Sequence, residues 1–116
     1  MREGAWIRDL NAAITVCDRE GRILEMNSKA CRVFEKDGGS KLIGTNVLDC
    51  HPEPAKEKLK NMMEAQVENI YTTEKNGIKK LVYQTPWFKD GEYMGFIEML
   101  IEIPLEMRHL KDKCIN

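Results

Sequence analysis

Residues 69–103 read NIYTTEKNGIKKLVYQTPWFKDGEYMGFIEMLIEI, and their pattern decides the fold class of the chain. Asn76-Gly77 and Asp90-Gly91 divide the stretch into three β-prone runs, NIYTTEK, IKKLVYQTPWF and EYMGFIEMLIEI. Asn-Gly and Asp-Gly are favoured in two-residue hairpin loops because those turns need positive φ, which these residues tolerate. The runs are rich in Ile, Val, Thr, Tyr and Phe, side chains that pack well on a pleated surface. A three-stranded antiparallel meander follows. Pro86 lies inside the middle run, where its missing N–H predicts a bulge or strand end, and Pro104 closes the sheet.

Upstream, AAITVC and RILEMN are two further β-prone runs around DREG, a hairpin turn in which Gly21 is free to take positive φ. NSKACRVFEKDGG predicts a short helix with Ala30, Val33 and Phe34 as its apolar stripe and Gly38-Gly39 as its stop. The longest helical pattern runs from Glu53 to about Val67. Leu59, Met62, Met63 and Gln66 recur at i, i+3, i+4, i+7, opposite Lys56, Glu57, Lys60 and Glu64. Pro52 and Pro54 suit a first helical turn, where a missing N–H costs nothing, and Glu53 suits the helix dipole. At the ends, residues 1–11 predict a short amphipathic cap helix with Trp6, Ile7 and Leu10 on one face. Residues 105–116 predict a helical tail, with Ile103, Met107, Leu110 and Cys114 spaced as a brief heptad seam. The body, residues 12–104, is expected to be α+β: a five-stranded antiparallel sheet with its helices packed on one face.

Bulk properties narrow the function. The chain has 116 residues, enough for one domain with a real core, and 42% hydrophobic content with 32% charge suits a globular protein. Eighteen basic against 19 acidic residues leave a net charge of −1, which offers no attraction to nucleic acid or anionic lipid. No apolar run is long enough to span a bilayer, and MREGAWIRDL lacks a signal peptide's apolar stretch, so the expected location is the cytoplasm. Cys17, Cys31, Cys50 and Cys114 follow no metal-binding spacing and are expected to be free thiols. There is no triad order, phosphate loop, H-x-x-x-H or dinucleotide fingerprint, and the expectation is a protein without catalytic activity.

ITVCDREGRILEMNSKACRVF, LIGTNVLD and TPWFKDGEYMGFIEML, in this order and spacing, resemble the PAS domain over about residues 12–104. The first piece is similar to the family's paired opening strands and the helix start at Asn27 to Ala30. Ile43-Gly44 matches its habitual Ile-Gly, and the last piece matches its closing strands. The resemblance implies a sensory and interaction module, usually dimeric, with a small-ligand chamber between helices and sheet. Two subtypes are excluded by motif. GTNVLDCH has Val47 where the flavin photosensors carry their reactive cysteine, and Cys50 falls three residues too late. PEPAKEKL is similar to the helix entry of the haem-binding rhizobial kinases but puts Leu59 at the iron-ligand position, and leucine cannot bind iron. The cofactor therefore stays unassigned, with haem and flavin disfavoured and no metal expected.

Candidate binding residues come from the strand periods. On strand 93–103, Ile97, Met99, Ile101 and Ile103 alternate with Phe96, Glu98, Leu100 and Glu102, so neither row is wholly polar and both faces should be covered. Alignment on the flavin subtype turns Val82, Gln84 and Leu100 into the chamber, with Glu98 beside them. Buried Gln84 and Glu98 would then need a ligand, water or partner side chain. Met62 and Met63 face the sheet from the long helix, as adaptable ligand contacts or as plain core. The opposite face, with Tyr83, Trp87, Ile97, Met99 and Ile101, needs a lid: the cap helix or a second subunit of a homodimer. Cys50-His51 reads as a helix entrance, His51 near the N-cap and Cys50 as a small buried hydrophobe. A redox role would show as Cys50 being alkylated faster than Cys17 or Cys31. The expected function is a ligand-binding, dimeric sensor passing its signal to an output protein. A ligand-free dimerisation module and a cofactor-dependent redox sensor are the alternatives.

Overall fold

The structure is a computed structural model that describes residues 4–111, apart from the side chain of Cys50. Its strands are β1 (Ala13–Asp18), β2 (Ile23–Met26), β3 (Asn69–Lys75), β4 (Ile78–Lys89) and β5 (Glu92–Ile103). All neighbours are antiparallel, in the order β2-β1-β5-β4-β3. The helices are α1 (Ala5–Arg8), α2 (Ser28–Val33) and α3 (Ala55–Ala65), with three 3-10 turns between β2 and α3. The expected α+β sheet of five antiparallel strands is thus the observed one. Asn76, Gly77, Asp90 and Gly91 all have positive φ, the geometry two-residue hairpin loops demand.

The first and last strands meet at the centre of the sheet, Ala13 opposite Leu100 and Cys17 opposite Phe96. Gly95 makes this approach possible. A Cβ there would collide with the Cys17 carbonyl oxygen and come within 2.7 Å of the Asp18 carbonyl carbon, and its φ is +149°. The Trp87 indole N–H, from β4, donates to the same Cys17 oxygen at 3.1 Å. Pro86 does not end its strand: β4 runs on to Lys89, and the register shifts between Trp87 and Phe88. Because β3 ends opposite Gln84, β4 has no neighbour on that side beyond it, and a missing N–H forfeits no ladder bond there.

Asn27 ties the N-terminal elements together. Its Oδ1 accepts from Ala30 N–H at 3.0 Å, capping α2, and from Ile14 N–H at 2.9 Å. Its Nδ2 donates to the Ala12 carbonyl at 2.8 Å and the Ile7 carbonyl at 3.0 Å. Every polar atom of this buried amide is therefore in use. The core beneath α3 is formed by Cys17, Met63 and Phe96, with Val47, Leu48, Leu59, Met62 and Tyr93 packed around it.

Three segments differ from the sequence reading. The cap helix is one turn, Ala5–Arg8, with Trp6 59% exposed, so it does not lid the outer sheet face within this chain. Four residues are too few for a self-sustaining helix, and Asn27 holds it only by its backbone. α3 starts at Ala55 rather than Glu53, because residues preceding a proline avoid the α region and both His51 and Glu53 do so. Glu53 instead accepts Glu57 N–H at 3.0 Å. At its far end Gln66 takes the left-handed conformation that terminates the helix. Over residues 105–111 the tail is not helical, and Leu105, Met107 and Leu110 are exposed. A short helix with no surface to pack on is marginal in water. Cys114 and the rest of the proposed seam lie outside the described residues.

Substituting Gly95 by Ala is expected to cost about 2–3 kcal/mol in urea unfolding, from left-handed strain plus displacement of β1. Gly91→Ala also has positive φ but meets no atom within 4 Å, and should cost about 1–2 kcal/mol.

Candidate functional site

Alternation along the central strands builds the floor of a cavity between the sheet and α3. Val82 pairs with Leu100 and Gln84 with Glu98 across β4 and β5, while Thr15 of β1 lies on the other side of Glu98. The space between them, partly open to solvent, is about 600 Å³. Of the residues expected there, Met63, Val82, Gln84, Glu98 and Leu100 line it together. Met62 does not. It packs beside the core and lines two shallower clefts along α3, because neighbouring helix positions point about 100° apart. Thr15, Cys17, Tyr71, Lys80 and His51 also line the cavity and are not among the binding residues expected from the sequence, which places His51 only at a helix entrance. The alternation in β1 and β3 carried the signal for Thr15, Cys17 and Tyr71. His51 carried none, since no local rule says which way a loop ring turns.

The polar groups on the floor form a directed chain. Asn69 Nδ2 donates to Gln84 Oε1 at 3.1 Å, and Gln84 Nε2 donates to Glu98 Oε2 at 2.8 Å. Side chains of this chain thus meet the need expected of a ligand or water at Gln84, and the chain ends on a carboxylate. His51 is the C-cap of the 3-10 turn Val47–Cys50, not the N-cap of α3. Its Nδ1 lies 2.8 Å from the Val47 carbonyl oxygen. A carbonyl only accepts, so Nδ1 carries a proton, which leaves Nε2 as the acceptor whenever the ring is neutral. Among the described residues there is no group of three or more His, Cys, Asp or Glu arranged to hold a metal ion. A haem needs only an axial ligand. Leu59 lines the cavity as an inert aliphatic, whereas His51, Cys17, Met63 and Tyr71 are lining residues of types that can ligate haem iron.

Burial pushes the Cys17 thiol up, and the nearby Asp18 and Glu98 charges add to this, against a backbone hydrogen bond from Phe96 that lowers it. Tyr71 is raised by burial and then by Glu98, and Tyr93 by burial and then by Cys17. Tyr83 is raised chiefly by its 2.7 Å hydrogen bond to Glu68. Cys17 is therefore an unreactive thiol. The expected redox behaviour of Cys50 falls on a side chain outside the described residues. Each raised group holds its proton more tightly folded than unfolded. Its contribution is complete below the ordinary value, 9.0 for the thiol and 10.0 for the phenols, and is lost as pH rises through the folded values. The urea midpoint should fall in alkali, and the earliest part of that fall should vanish in Cys17→Ala. A profile flat to about pH 11 would contradict the burial of these groups.

The family described as "PAS fold" matches by its sequence profile over residues 7–104. No curated protein sequence matches the chain. Among solved structures, the C-terminal domain of a Streptococcus mutans protein superposes with a TM-score of 0.66 at 21% identity, over 83% of this chain and 78% of that one. A sensory box sensor histidine kinase from Vibrio cholerae gives 0.60 at 17% identity, over 87% of each chain. The Aer2 receptor of Vibrio cholerae, described as a dual PAS-heme oxygen sensor, gives 0.57 at 17% identity, over 79% of this chain and 94% of that one. No helix among the described residues is long and apolar enough to cross a membrane. With the profile spanning residues 7–104, nearly the whole chain, this protein belongs to the PAS-fold family.

Proposed function

We propose that this chain is a sensory and interaction domain of signal transduction that binds a small molecule between α3 and the sheet. The observation that carries the reading is the cavity of about 600 Å³ with an apolar wall and a few convergent polar groups. Small-ligand sites have that size and that composition. The histidine kinase and the oxygen receptor that share the fold are themselves sensors, which supports the same reading. A change of occupant would alter how α3 and the loop of His51 pack on the sheet, and that packing is what an output protein could read. The free thiols of Cys17 and Cys31 support a reducing, cytoplasmic setting.

Homodimerisation is part of the proposal. The outward row Leu81, Tyr83, Trp87, Ile97, Met99 and Ile101 is only half-buried within one chain, and Trp6 projects from α1 without burial. A second copy would cover both. A haem-bearing sensor is a second reading, favoured by one observation. The Nδ1–H of His51 is held by a backbone carbonyl, the way metal-ligating histidines are oriented.

Denaturing purified protein and analysing the supernatant by mass spectrometry should release a stoichiometric small molecule. Leu100→Trp, which fills the cavity from its floor, should abolish that release while leaving the fold intact. Protein free of any released molecule, together with a featureless visible spectrum, would leave a purely structural module. A haem band that disappears in His51→Ala would establish the second reading instead. Trp6→Ala should weaken self-association at least about tenfold in sedimentation, as loss of a central aromatic contact does. An unchanged profile would remove α1 from the interface.

A further inference from the structure

The cavity floor carries a carboxylate, Glu98, with no cationic partner among the described residues, and its sign selects a ligand. We infer that the occupant is an organic cation, an amine or amidine carried on an apolar body, with its N–H groups directed at Glu98. This rests on the ligand-binding reading above and deepens it.

The orientation of Gln84 is settled by its neighbours. Asn69 occupies the Gln84 carbonyl, so the Gln84 amide N–H is delivered to Glu98 Oε2. Each donor in the chain is thereby turned toward the carboxylate, which itself offers only acceptors. Among the described residues Glu98 Oε1 has no hydrogen-bond partner, and no Lys, Arg or His nitrogen lies within 4.0 Å of the carboxylate. The surrounding floor is Val82, Leu100 and Phe96, so a cation reaching this half-buried carboxylate would lay its apolar body against them.

The other polar groups of the lining agree with that sign. His51 has its Nδ1–H engaged by the Val47 carbonyl, so its Nε2 is the ring atom left for a ligand, and it accepts from an N–H when the ring is neutral. Asp37 adds another carboxylate to the wall. Thr15, Thr73 and Tyr71 carry hydroxyls, which accept or donate. Lys80 is the one cation of the lining, and it stands opposite Glu102 in the ladder. The Val82–Leu100 pair separates it from the Gln84–Glu98 pair, four residues or roughly 13 Å along the strand. An anionic ligand would thus be repelled at the centre of the floor and attracted only near its end.

The test uses three naphthalene probes of nearly equal shape: 2-naphthylmethylamine, 2-naphthylmethanol and 2-naphthoate, titrated by calorimetry. The amine should bind at least about tenfold more tightly than the carboxylate, as expected for a charge-assisted hydrogen bond. Glu98→Gln, close in shape, should lower amine affinity about tenfold and leave the alcohol within about twofold. Carboxylate binding equal to or tighter than amine binding in the unmodified protein would overturn the inference while leaving the ligand cavity standing. An amine affinity unchanged in Glu98→Gln would do the same. Failure of all three probes would overturn both the inference and the ligand-binding reading.

Discussion

The pairing of β1 with β5 is the constraint from which the rest of the molecule follows. It joins the first strand to the last, and it makes one five-stranded sheet out of a two-stranded hairpin, too small to stand alone, and a three-stranded meander. Closing so long a loop costs entropy, which is recovered only if the strands approach closely along their whole length. Gly95 permits that approach by having no Cβ to meet the Cys17 carbonyl. The Trp87 indole then bonds the same carbonyl from the third strand across, so one peptide group anchors β1, β5 and β4.

The chemistry of the cavity is a consequence of this seam. Glu98 lies in the middle of β5 with Thr15 on one side and Gln84 on the other. A glutamate facing a mostly apolar chamber would ordinarily be a fault in a sheet. Here the register places an amide beside it, and β3 supplies a second amide to orient the first. Meanwhile the two prolines before α3 delay the helix start, leaving a 3-10 turn that ends on His51 and turns its ring to the same space. Acceptors thus converge from the floor and from the rim, although the strand and the turn are distant in sequence.

Much of this was legible in the amino acids. Asn76-Gly77 and Asp90-Gly91 announced the meander, since few other dipeptides tolerate positive φ at both central positions. Alternation along β4 and β5 sorted Val82, Gln84, Glu98 and Leu100 to one face, because the strand period is two and admits no drift. Helical faces are less sharply defined, and that is why Met62 and Met63 could not be told apart until α3 was seated. Where local preference was weak and the side chains stay exposed, as in residues 105–111, a spacing that resembled a heptad did not produce a helix.

The sequence by itself determined the elements, their turns and which strand residues share a face, because these depend on φ/ψ preferences and on periodicity within a few residues. Only the tertiary structure decided that Asn69 orients Gln84, that Gln84 serves Glu98, and that His51 turns inward with Nδ1 bonded. Hydrogen-bond partners are chosen by distances of about 3 Å between residues far apart in the chain, and no local rule encodes such distances.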